Sequence, residues 1–274
     1  MKHGIRFASV LLVLALASCG APAPAPEGSP SVAPASSGDE ETQMGQQVWD
    51  QLKSQREIVK SSPLYDTLAP MAKAITRVVQ PGYPYPIHFY IVHDSQPNAF
   101  ATPGGNVYVV DSLFYFVKNK EELEGTLCHE TSHLLHHDSI KQMQRNQQIR
   151  IREVAATILV PNWRTALAAS AIGALDELHY SRGVEEAADI TGSDTCAAAG
   201  YDPWGLVWLF QDFQNSNMKS PPEVLSDHPD NTDRVNALEQ HFKQEPGTFA
   251  NFNSDPTSAT KLKLPKDEAE QFVR

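Results

Sequence analysis

His129-Glu130-Thr131-Ser132-His133 sets two imidazoles four residues apart, with a carboxylate beside the first. On an α-helix this spacing puts both rings on one face, one turn apart, where they can bind the same ion. Glu130 then stands where a general base is needed to take a proton from a water that the ion has acidified. The pattern works only if the helix is real, and Asn119 followed by Glu121 and Glu122 supplies its start.

Upstream of that helix, Ile87-His88-Phe89-Tyr90-Ile91-Val92 is rich in β-branched and aromatic residues. Asn98-Ala99-Phe100-Ala101, the turn Pro103-Gly104-Gly105 and Val107-Tyr108-Val109-Val110 follow. These read as a small sheet containing a hairpin, with a short helix from Asp111 or Ser112 to about Val117. Before the sheet, Met44, Val48 and Leu52 recur at four, and Leu64, Leu68, Met71, Ile75 and Val78 recur at three and four, which predicts two helices. Pro81-Gly82 ends the second.

After Asp138 the chain is helical in character to about Gly200. Its apolar stretches, Val154 to Val160 and Ala166 to Leu175, fall short of the roughly 20 residues that a membrane span needs. A helix with Leu206, Val207, Leu209, Phe210 and Phe213 follows Pro203, a loop runs through Ser226-Asp227-His228-Pro229, and Thr232 to Phe242 forms the last helix. Residues 246 to 274 read as a polar C-terminal tail, and there is no internal repeat.

The amino terminus is a targeting segment to be kept out of the fold argument. A basic start, an apolar run from Phe7 to Ala17 and Leu16-Ala17-Ser18-Cys19 predict a signal peptide over residues 1 to 18, resembling a bacterial lipobox with Cys19 as the acylated residue. Residues 19 to 42 hold Pro, Ala, Ser, Gly and acid with nothing larger than Val32 among the aliphatics, too little to offset the entropy of folding, and read as a disordered tether. Residues 43 to 245 form the expected single catalytic domain. Removing Lys2 and Arg6 from the 22 basic residues, against 33 acidic ones, moves the net charge from −11 to −13. That balance excludes nucleic acid as the main partner and leaves the membrane to the lipid anchor. Cys128 and Cys196 are either a disulfide, which an exported compartment permits, or two small buried residues. Oligomeric state is not legible.

A catalytic zinc wants a third protein ligand and an open position. Ser139 stands where a metzincin would place its third histidine, which excludes that pattern. His136, His137 and Asp138 follow on the same helix and point progressively away, as polar surface or as supports of the ligands. Glu185-Glu186-Ala187-Ala188-Asp189 offers two acids at a spacing of four with small residues between, allowing a close approach to the histidine helix. Glu185 as ligand and Asp189 as the acceptor of a histidine's outer N–H is one reading; a solvated acidic face is the other.

Five ordered blocks resemble peptidase family M48: Asn98 to Gly105, His129 to His133, Ser181-Arg182-Gly183-Val184-Glu185-Glu186-Ala187-Ala188-Asp189, Ala199-Gly200-Tyr201-Asp202-Pro203, and His228-Pro229 followed by Arg234. The resemblance covers about Met44 to Phe242. It implies an α+β, zincin-like (gluzincin) domain, mostly helical, with a small mixed sheet beside the active-site helix. It implies one Zn2+ per chain on His129, His133 and Glu185, with Glu130 as base. It further implies His228 near the metal as a fourth ligand or an oxyanion stabiliser, and Arg182 and Arg234 orienting acids or backbone near the site. Asn98, Ala99, Phe100 and Ala101 become the edge strand on which an extended substrate pairs. The expected function is hydrolysis of peptide bonds in unfolded or misassembled polypeptides, in a lipid-anchored protein of the bacterial envelope, at the outer membrane facing the periplasm. A zinc-bound chaperone or assembly factor with little turnover is the alternative. The segment from Ile149 to Tyr180 is either a lid or an ordinary helical pair.

Overall fold

The computed structural model describes residues 37–145, 180–215 and 231–265. Cys19, His228 and all of the Ile149 to Tyr180 segment except Tyr180 lie outside them. In chain order the named elements are α1 (Ser37–Gln55), β1 (Ile58–Val59), α2 (Leu64–Val79), β2 (His88–Val92), β3 (Ala99–Thr102), β4 (Asn106–Val110), α3 (Asp111–Phe116), α4 (Lys120–Leu135), α5 (Arg182–Ala199), α6 (Trp204–Asn215) and α7 (Asn231–Gln244). A further helical stretch begins at 138. No helix among the described residues is long and apolar enough to cross a membrane.

The four strands form one mixed sheet in the order β1-β2-β4-β3. β2 runs parallel to β4, with Phe89 opposite Val107, while β3 returns antiparallel, with Ala99 opposite Val109. The hairpin turn inserts β4 into the middle and leaves β3 at the edge. With its small mixed sheet set against helices, the architecture is the expected α+β, zincin-like one.

α4 is the axis of the helical layer. Asn119 caps it by accepting the Glu122 N–H at 2.8 Å, and Glu122 reciprocates by accepting the Lys118 N–H at 2.8 Å. The helix packs against α5, α6, α2 and β3 at once, so nearly every residue from Glu121 to Leu134 is buried, polar ones included. α2 presents Leu64, Leu68, Met71, Ile75 and Val79 to the same core. α5 approaches α4 closely because Gly192 carries no side chain: a Cβ there would stand 3.0 Å from the His129 Cα. Cys128 and Cys196 are joined in a disulfide with a Cα separation of 5.7 Å, tying α4 to α5 next to the first histidine.

Two boundaries differ from the expectation. α1 begins at Ser37, so the tether boundary expected at 42 falls inside a helix. Its apolar spacing starts only at Met44, but Glu41 is buried by contacts from distant elements that spacing does not reveal. The polar tail expected after 245 instead folds back on the domain: Phe249 and Leu262 are buried in the main core, and Thr260 exchanges hydrogen bonds with the start of α4 through Lys120 N–H and the Glu121 carboxylate. Phe252 and Leu264 pack against the same core, and Ser254 O accepts from Trp208 Nε1 at 3.1 Å.

Candidate metal centre

α4 and α5 bring His129, His133 and Glu185 together, all buried, with one donor atom of each within 4.8 Å of the others. The two Nε2 atoms face one another at 3.1 Å, His129 Nε2 lies 3.5 Å from Glu185 Oε2, and His133 Nε2 lies 3.8 Å from Glu185 Oε1. Ligands about 2.0–2.1 Å from one tetrahedral ion stand roughly 3.3–3.4 Å apart, so this spacing fits a single tetrahedral metal ion, and two imidazoles with one carboxylate is a donor set that suits zinc.

Each imidazole has a carboxylate behind it. His129 Nδ1 is 2.9 Å from Asp189 Oδ1 in an ion-pair contact, and His133 Nδ1 is hydrogen-bonded to Asp138 Oδ2 at 2.8 Å. At His133 this leaves Nε2 with the lone pair that a metal requires. Burial alone would raise the Asp138 pKa, but hydrogen bonds from His133 and His136 and their charge outweigh it and hold this carboxyl at about 2.

Arg234 of α7 closes the acidic side. Its Nε and Nη2 each stand 2.6 Å from an Asp189 oxygen and its Nη1 stands 3.2 Å from Glu185 Oε2, while its guanidinium lies over the Phe210 ring at 4.2 Å. Desolvation would lower the Arg234 pKa, yet the charge and hydrogen bonds of Asp189, with Glu185 and Glu130 behind them, raise it above its ordinary value. Glu130, between the histidines in sequence, is buried with them.

Arg182 forms an exposed pair with Asp233 at 3.6 Å. As the first residue of α5 its side chain leans back past the helix end, away from the packed face. His136 pairs with Thr191 Oγ1 at 3.0 Å and His137 with Glu41 Oε1 at 2.7 Å, so neither joins the cluster.

Two neighbours of His133 carry weaker signals in the sequence. Asp138 supports the ring, the second of the two roles expected of it, because the helix breaks after α4 at His137, whose φ is 55°. The Tyr180 ring stacks on His133 with centroids 4.5 Å apart, and its hydroxyl is 2.9 Å from Ser139 Oγ. Burial raises the pKa of that phenol well above its ordinary value. An acid five residues after the second histidine was the available sign for Asp138; nothing in the spacing marks Tyr180.

Ala99 to Thr102 form the edge strand beside α4, with Asn98 immediately before it. Val110 N–H donates to Asn98 O, so by antiparallel alternation the main-chain groups of Ala99 and Ala101 face away from β4. Ala99 N–H donates to Asn98 Oδ1 at 2.8 Å and Ala101 O accepts from Ser139 Oγ at 3.3 Å. Phe100 stacks on Tyr108 at 5.0 Å, on the opposite side of the strand from its alanine neighbours.

Comparison with known proteins agrees with this geometry. The model of Peptidase family M48 matches residues 66–241. The beta-barrel assembly-enhancing protease of Yersinia pestis is 30% identical over 174 residues, which are 57% of this chain and 36% of that protein. Metalloprotease YcaL of Escherichia coli is 29% identical over 188 residues, 67% of this chain and 70% of that one. Mitochondrial metalloendopeptidase OMA1 of Schizosaccharomyces pombe is 27% identical over 154 residues, 55% of this chain and 45% of that one. The chain spans only about a third of the length of the assembly-enhancing relatives, 36% for the Yersinia protein.

Proposed function

The chain belongs to peptidase family M48, and from that membership we propose that it is a zinc metalloendopeptidase of the bacterial envelope acting on unfolded or misassembled polypeptides. The observation that carries the proposal is the buried cluster of His129, His133 and Glu185, with the His133 ring fixed by its hydrogen bond to Asp138 and the His129 ring beside Asp189. When bound there, zinc supplies a Lewis acid that polarises a carbonyl and lowers the pKa of water.

This chain's residues supply the rest. Glu130 takes the proton of the attacking water and passes it to the leaving amine, so no covalent intermediate with the protein is needed. Asp189 and Asp138 hold the ligand rings, and Arg234 holds Asp189 and Glu185. On the edge strand from Asn98 to Ala101, the main-chain groups of Ala99 and Ala101 are those turned away from β4 on which an extended substrate pairs, which recognises backbone and tolerates varied side chains.

An envelope location is supported by the assembly-enhancing relatives, by the lipobox-like Leu16-Ala17-Ser18-Cys19, and by the Cys128–Cys196 disulfide, a bond that persists in oxidising compartments. Acylation at Cys19 at the outer membrane completes the reading.

The test is the Glu130→Gln variant of the mature protein, assayed on casein with zinc content measured alongside. It retains zinc and loses about 10²- to 10⁴-fold in rate, the span that a general base contributes. Turnover at the wild-type rate would overturn the assignment.

A further inference from the structure

Asp138 reaches His133 only because the helix is broken between α4 and the stretch that begins at 138. On a continued helix, residue 138 would stand about 7.5 Å along the axis and about 140° round from residue 133, out of reach of its imidazole. The turn is made at His137, in the left-handed region at φ 55°, where a residue with a β-carbon needs outside support.

That support comes from the far end of the folded chain. Glu41 of α1 places Oε1 2.7 Å from His137 Nδ1, and its Oε2 accepts from the Tyr83 hydroxyl at 3.3 Å. The Tyr83 ring lies 5.4 Å from the His137 ring. Glu41 is itself fixed, because α1 lies directly on the β3–β4 turn: a Cβ on Gly45 would stand 2.1 Å from Pro103 O. Glu41, Tyr83, His137 and His133 line one small cavity together with Pro103, Leu134 and Ser139. The contacts form a continuous path from Glu41 to His137, to Asp138, to the His133 ring.

We propose that Glu41 is a positioning residue for the metal: it holds His137, and through it Asp138, so that His133 presents Nε2 to the ion. The proposal rests on the reading of the cluster as a zinc centre. It makes α1 part of the metal site although none of its residues is a ligand, and it means that a chain starting at 43 folds without a component of the centre.

The test uses the mature full-length protein and reads its zinc dissociation constant by competition with a chromophoric chelator, with far-ultraviolet circular dichroism as the check on folding. Asp138→Ala weakens zinc binding about 10- to 100-fold, the usual effect of losing a ligand's outer partner. Glu41→Gln weakens it about three- to tenfold. The double variant binds no more weakly than Asp138→Ala alone, because Glu41 acts through Asp138. In a His137→Gly background, where the left-handed turn needs no side-chain support, Glu41→Gln changes the constant by less than about twofold.

Effects that multiply in the double variant would overturn the proposal, as would a Glu41→Gln protein that is folded and binds zinc like the wild type. A persistent Glu41 effect in the His137→Gly background would also overturn it. A wild-type protein that fails to bind zinc would instead overturn the functional reading, so the two failures are distinct.

Discussion

The Arg234 guanidinium holds Asp189 at two points, with Nε and Nη2 each 2.6 Å from a carboxylate oxygen, in a place where both residues are buried. Asp189 in turn faces His129, and Arg234 also neutralises Glu185, so one cation balances two buried acids beside the metal. Arg234→Met leaves those acids uncompensated and lowers the stability of the apo protein by about 3–5 kcal/mol, the usual cost of breaking a buried pair from one side. Arg234→Lys recovers only part, since an ammonium lacks the planar fork that makes both contacts. Urea denaturation of the two variants measures the difference; equal stability of the Met variant and the wild type would refute the role.

Helix proximity is the next quantity open to test. A Cβ at Gly192 would meet His129 Cα at 3.0 Å and His129 N at 3.1 Å, with no flexible side chain to give way. Gly192→Ala therefore pushes α5 from α4, costs about 1–3 kcal/mol as an overpacked contact, and weakens zinc binding by moving Glu185 away from the histidines. Gly183→Ala is the control on the same helix, with no atom within 4 Å of the added carbon. Thermal melting and zinc competition on both variants decide the matter, and a Gly192→Ala protein that behaves like Gly183→Ala would rule the packing argument out.

Parts of this arrangement are written in the sequence and parts are not, for physical reasons. The meeting of His129 and His133 follows from helix period alone, and the strand, hairpin and α2 follow from alternation, turn residues and apolar spacing. Glu185 shows two acids at a spacing of four, which a solvated face would show equally; the separating fact is burial against α4, a tertiary property. Asp138 hinges on the backbone at His137, and the mild tolerance of histidine for the left-handed region is too weak to mark this position as a turn. Glu41 lies 96 residues from His137 and outside the apolar repeat of α1. The cysteine pair depended on a distance, and Phe249 with Phe252 and Leu262 with Leu264 make apolar pairs too short to announce that the chain after 245 packs.

Covalent linkage of the two ligand-bearing helices gives a third prediction. Cys128 precedes His129 by one position, and Cys196 lies on the helix that carries Glu185; 68 residues separate the two cysteines. Replacing both cysteines by alanine frees that loop in the unfolded chain and costs about 2–5 kcal/mol. Zinc in excess, binding only the folded state, raises the stability of wild type and variant equally when their affinities are equal. The melting temperature of the double variant is thus lower than the wild type's in chelator, and the gap persists on adding zinc. A gap that widens with metal would show that the variant binds zinc more weakly, so that the disulfide also holds α4 and α5 in the geometry the ion requires.

The capping carboxylate of α4 gives stability a pH dependence of definite sign. Burial pushes Glu122 up from an ordinary 4.5 to about 7, against the opposing effect of the Lys118 N–H that it accepts, and burial likewise raises Glu124 to about 7 despite its bond to Lys120. Between 4.5 and 7 the folded chain holds protons that the unfolded chain has released, so stability falls as pH rises across that window. The contribution is fully present below 4.5 and gone above about 7. Glu122→Gln keeps an acceptor for the Lys118 N–H but cannot ionise, so its melting temperature falls less between these pH values than the wild type's. Glu124 still titrates in that variant, which leaves a residual slope that Glu122→Gln with Glu124→Gln reduces further. Subtracting variant from wild type cancels every other titrating group that the substitutions leave unchanged. A difference that stays constant from pH 4.5 to 7 would mean that Glu122 is ionised throughout, and that the cap, not its protonation, is what the helix start requires.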